Sequence, residues 1–202
     1  WRGPAQLPRG QALPPTQALG RLSAPAVPDF GNAATQPFDT IRATTYVPGV
    51  LASEIPVAHT PPGGYGDAMP PAVLAGCTEP LPAGIPDLRG TWAAVSATMG
   101  GQAVPEGHRI LAHVERIEQA GLRVVVASDG VIHDMVCDGT EANGVHDVAA
   151  ADFTTPIHVV ATFEDGVHTL RPIGTPVEVT RRLDGDELVW SYAGLFVARL
   201  RR

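Results

Sequence analysis

The stretch "LRVVVASDGVIHDMVC", residues 122–137, sets two β-prone runs on either side of an aspartate–glycine pair. Valine and isoleucine favour extended chain. Asp129–Gly130 supplies the two positive-φ residues of a tight hairpin turn. The same grammar repeats outward from this hairpin. "PIHVVATFE" and "VHTLRPI" flank Asp165–Gly166, and "PVEVTRRL" is joined to "ELVWSYAGLFVARL" across Asp184–Gly185. Asp138–Gly139 and Asn143–Gly144 bracket a further turn. Toward the N-terminus stand "GTWAAVSAT" and "HRILAHVERIE", the second with Ile110, Ala112, Val114 and Arg116 expected on one face. No helical stretch of useful length intervenes. The expected fold is all-β: an up-and-down antiparallel barrel of eight to ten strands over residues 87–202, which closes its own edges. A sandwich is the alternative.

Residues 1–86 use a different alphabet. Of the 20 prolines in the 202-residue chain, 16 precede Asp87. Interior prolines break helices and confine strands to edges. This part is expected to be an extended Pro/Gly/Ala-rich arm. Its apolar residues are spaced as anchors, led by Phe30, Phe38, Tyr46 and Tyr65, which are assigned to the surface of a partner protein. The alternative is an arm that wraps its own domain. On the first reading the barrel folds without residues 1–70.

Net charge is −7 and lysine is absent. An acidic surface with scattered arginine disfavours nucleic acid. No apolar run reaches the length of a membrane span. The chain begins with Trp1 and has two cysteines, Cys77 and Cys137. Together these lead to the expectation of a processed, periplasmic or secreted protein with one Cys77–Cys137 disulfide.

The opening "DLRGTWAAV", with Gly90, Thr91 and Trp92, resembles the Gly-x-Trp entry of lipocalin and fatty-acid-binding-protein barrels, and "VTRRLDGDELVWSYAGLFVARLRR" resembles their closing strands. The resemblance implies that Arg199 or Arg201 covers Trp92 by a cation–π contact and closes the barrel end.

No nucleophile elbow, HExxH, phosphate loop, dinucleotide fingerprint or haem-attachment sequence is present. The histidines of the domain are His108, His113, His133, His146, His158 and His168. Most fall near expected strand ends or loops and are read as solvated surface groups. A haem barrel of the nitrobindin type is disfavoured, because no histidine follows His168. Catalytic residues, cofactors and metal ligands are therefore all expected to be none.

The leading functional expectation is a non-catalytic accessory subunit of an exported complex. In size, export and wrapping role it resembles the small periplasmic subunit of the membrane-bound quinohaemoprotein alcohol dehydrogenase of acetic acid bacteria. The expected partners are then larger protein subunits. The alternative is a secreted lipocalin-like carrier of a small apolar ligand.

Overall fold

The computed structural model describes residues 49–202. Eleven strands follow in chain order: β1 (Gly90–Met99), β2 (Gln102–Ala103), β3 (Val114–Ala120), β4 (Arg123–Ser128), β5 (Val131–Val136), β6 (Val145–Val148), β7 (Pro156–Glu164), β8 (Val167–Pro172), β9 (Val179–Asp184), β10 (Glu187–Tyr192) and β11 (Phe196–Arg201). They pair antiparallel in the order β5-β4-β3-β1-β11-β10-β9-β8-β7-β6, with β2 added beside β1. The result is a nearly closed up-and-down barrel. Among the described residues the helical content is two 3-10 turns, Ala52–Glu54 and Arg109–Ala112.

The hairpin turns follow from the residues that form them. Asp129 and Gly130 have φ of 47° and 85°, and Asp165 and Gly166 have φ of 49° and 77°. Both central positions are left-handed, the twist that matches flanking strands. Between β6 and β7 the chains come closer still. A Cβ on Gly144 would lie 2.0 Å from the carbonyl oxygen of Val159, so only glycine fits there.

The lumen holds the main core, with Leu88, Trp92, Ile117, Val124, Met135, Leu188 and Leu200 almost fully buried. A second apolar layer lies outside the barrel. Ala120, Val125 and Ile132 point outward from β3, β4 and β5 and are covered by Ala52, Leu74, Ile55, Tyr65 and Val73. Residues 49–86 thus form a strap over their own barrel. Irregular proline-rich backbone needs partners for its polar groups, and barrel side chains supply them. Arg123 Nη1 donates to the carbonyls of Ala52 and Ile55, and its Nη2 to that of Pro56. Arg116 donates to Pro70 O and Pro71 O, while Glu118 accepts from Leu74 N–H at 2.6 Å.

The strap also stitches the one unpaired seam, between β5 and β6. Thr60 Oγ1 accepts from Ile132 N–H of β5, and Thr60 N–H donates to Asp147 Oδ2 of β6. At the last residue of β5, Val136 N–H donates to Asn143 O at 2.7 Å.

Several expectations change. Residues 109–112 are a 3-10 turn capped by the His108 ring, not strand. Strand β3 buries Glu115, Ile117 and Gln119 in the lumen, while Val114 is exposed; its inward charge is paired across the barrel, so apolar character does not mark the inner face. "ELVWSYAGLFVARL" is two strands, split where Gly194 takes φ of 70°. Tyr65, assigned to a partner surface, packs on its own barrel, and its N–H donates to Gly130 O. Phe30, Phe38 and Tyr46 lie outside the described residues.

The expected Cys77–Cys137 disulfide is not supported: both thiols are free. Cys77 sits in the outer layer and donates to Val50 O at 3.2 Å, whereas Cys137 belongs to the lumen core. They belong to different layers of the molecule. Burial, reinforced by Asp138, pushes the Cys137 thiol up to about 12.

Candidate functional site

The lumen is not wholly apolar. Arg181 of β9 reaches across it to Glu115 of β3, with Nε at 3.0 Å from Oε1 and Nη2 at 2.8 Å from Oε2. Neither side chain is appreciably exposed. An ion pair taken out of water survives only with close geometry and further partners. Part of that support comes from His113. Its Nε2 stands 3.6 Å from Glu115 Oε2, an ion-pair rather than hydrogen-bond distance. Its Nδ1 donates to Asp129 Oδ2 at 3.0 Å. The His113 ring stacks on Trp190 with centroids 4.2 Å apart, and Arg181 lies over the same indole at 5.8 Å.

The environment divides the histidines. Desolvation would lower His113, but its contacts with Asp129 and Glu115 win and raise it to about 9. Desolvation would raise Glu115, but Arg181 and His113 hold it down at about 2. His168, on β8 directly opposite Arg181 of β9 in the ladder, is fully buried. Desolvation, then the Arg181 charge, press it down to about 3, so it is neutral. His133 of β5 is likewise lowered by burial; its Nε2 lies 3.3 Å from Val148 O.

Five buried polar atoms of this cluster have no hydrogen-bond partner among the described residues: Arg181 Nη1, His113 Nε2, Trp190 Nε1 and both ring nitrogens of His168. Buried polar groups are ordinarily satisfied, and exceptions point to water or a ligand. Three of the five are obligate donors at neutral pH, two of them on cations, so the cluster favours an acceptor-rich or anionic neighbour.

A concavity lies outside the barrel. A groove of about 780 Å3 runs beside the seam, between the strap at Leu51–His59, the β3–β4 turn and residues 142–147. Met135 and Val145 of the lumen core form part of its floor.

The sequence placed His133 and His168 among surface groups; both face the lumen, as does His113. Alternation could have found His168, which stands two residues before buried Leu170. Nothing in the sequence pairs Glu115 with Arg181, 66 residues apart. Trp92, directly opposite Glu115 in the β1–β3 ladder, donates from Nε1 to Leu88 O and is covered by Arg202, 4.4 Å from the ring centroid. The resemblance had put Arg199 or Arg201 there. Both point outward from β11, where Arg199 pairs with Glu187 and Asp184 and Arg201 with Glu187. Among the described residues no group of three or more His, Cys, Asp or Glu is arranged to hold a metal ion.

No protein-family model and no curated protein matches the chain. Among solved structures it is similar to human cRBP IV, at 17% identity and a TM-score of 0.44, over 58% of this chain and 98% of that one.

Proposed function

We propose that the protein is a small-ligand-binding barrel whose lumen takes the anionic end of a small organic molecule, with a carboxylate as the simplest case. The supporting observation is the set of five unpartnered polar atoms around the Glu115–Arg181 pair. Arg181 and His113 supply positive charge, Trp190 a neutral donor, and neutral His168 either a donor or an acceptor. The carrier reading is thereby changed from an apolar ligand to an amphipathic one. No comparable observation supports an accessory subunit, since the described part of the arm is occupied by its own barrel.

The test is calorimetric titration of the full chain with hexanoate and with hexanol. Hexanoate is expected to bind and to raise the melting temperature, and hexanol to do neither. Trp190→Phe removes one donor while keeping an aromatic ring, and should weaken hexanoate binding by about tenfold to a hundredfold, the worth of one hydrogen bond to a charged group. If a high-resolution structure shows only water on the five atoms, and no carboxylate shifts the melting temperature, the reading fails.

A further inference from the structure

Outside the barrel, and independent of the lumen, two histidines face each other across the β6–β7 ladder. His146 and His158 are directly opposite in register, and both are exposed. Their Nδ1 atoms are 2.7 Å apart, with the rings edge to face at 80°. His146 Nε2 is 2.7 Å from the carbonyl oxygen of Glu141. A carbonyl only accepts, so a neutral His146 ring carries its proton on Nε2 and its Nδ1 is a bare lone pair. In the free protein His158 Nδ1–H must then be the donor to it.

We propose that His146 and His158 form a two-histidine site for a divalent first-row transition ion such as Zn2+, Ni2+ or Cu2+. Imidazole nitrogen is a preferred ligand of these ions. The other nitrogen of a ligating histidine commonly donates to a backbone carbonyl, which fixes the tautomer and the ring plane. His146 already has that arrangement through Glu141 O. The same carbonyl accepts from Gly144 N–H at 3.0 Å, so it is held by the tight loop before β6. Gly144 is in turn fixed against Val159, the neighbour of His158.

The distance needs only a small adjustment, and the rings must also turn so that both Nδ1 lone pairs converge on the ion. With metal–nitrogen bonds of about 2.0–2.1 Å, two imidazole nitrogens on one ion stand roughly 3 Å apart or slightly more. The rings must open by a few tenths of an ångström from their present 2.7 Å. On binding, the His158 Nδ1 proton leaves to solvent and Nε2 takes one up. The ring stays neutral and no net proton is released. Water completes the coordination. The net charge of −7 favours cations at the surface.

The full chain would be titrated with ZnCl2 by calorimetry and followed by long-range 1H–15N correlation of the histidine rings. One ion per chain is expected. His158 should change from the Nδ1–H to the Nε2–H tautomer, while His146 keeps Nε2–H and its Nδ1 resonance moves. H146A and H158A should each weaken binding by about tenfold or more, and H59A should leave it unchanged. Both positions are exposed, so far-UV circular dichroism should confirm intact folds. Stoichiometric binding that persists in the H146A/H158A double variant would overturn the proposal, as would Zn2+ that leaves both tautomers unaltered.

Discussion

His113 and His168 share one lumen yet hold opposite charge states, and this gives the molecule a defined pH response. His113 is raised to about 9 from an ordinary 6.5, so it binds a proton in the folded state that the unfolded chain has released. Its contribution is complete below about pH 6.5 and is lost as pH rises through about 9. His168 is lowered to about 3, so the unfolded chain binds a proton there that the fold refuses. Its contribution is complete above about pH 6.5 and is lost as pH falls toward 3. His133, also lowered, acts in the same direction as His168. Stability should therefore peak near pH 6.5 and fall on both sides, by on the order of 2 kcal/mol per limb. Urea denaturation at about pH 5, 6.5 and 9 measures this. His113→Gln should flatten the alkaline limb and His168→Gln the acid limb. Unchanged limbs in both variants would show that other groups set the pH response.

At the scale of elements, the strap and the three strands beneath it behave as one unit joined through Arg123. This guanidinium is shared among three strap carbonyls and the carboxylate of Asp134, which is itself buried and also accepts from Ala58 N–H at 2.8 Å. Arg123→Met leaves Asp134 a buried charge without its cation, a change that typically costs about 3–5 kcal/mol. Hydrogen exchange should rise over residues 52–60 and in β5, and stay unchanged in β10 and β11. A uniform rise would mean global destabilisation without strap release. Hairpins β4–β5 and β7–β8 were legible because Asp-Gly turns and β-branched runs are local signals. Strand β3 was misjudged because its inward positions hold Glu115 and Gln119, and their partners, Arg181 and the Leu88 N–H, are remote in sequence. The strap was misassigned because proline-rich chain shows what it cannot form, not where its carbonyls find donors. One signal of it was present. Val124, Val125 and Val126 form an unbroken apolar run, the pattern of a strand covered on both faces, and all three are buried.

For the whole molecule, the question is whether the strap is an attachment or part of the fold. The sequence reading made it an attachment, dispensable to the barrel through residue 70. Its contacts make it structural. Removing residues up to 70 takes away Ala52 and Ile55 from the outer apolar layer, together with Tyr65. It strips Arg123 of its three carbonyl acceptors and Asp134 of its amide donor. It also removes Thr60, which joins β5 to β6 at the open seam. Val125 and Ile132 would then lose part of their cover beside an unpaired strand edge, a known route to association between chains. The comparison that decides this is residues 49–202 against residues 71–202. The longer chain retains every strap contact described above. The shorter one should lose several kcal/mol, beyond the roughly 1–3 kcal/mol of a typical single substitution, and should self-associate on sizing columns. Equal urea midpoints and monomeric elution for both would return the strap to the role of an attachment. The lumen readout separates the two outcomes further. Strap loss acts first on β4 and β5, which carry His133, while Arg181 and Trp190 lie on β9 and β10 across the barrel. Hexanoate binding by residues 71–202 should thus weaken only in proportion to the unfolded fraction.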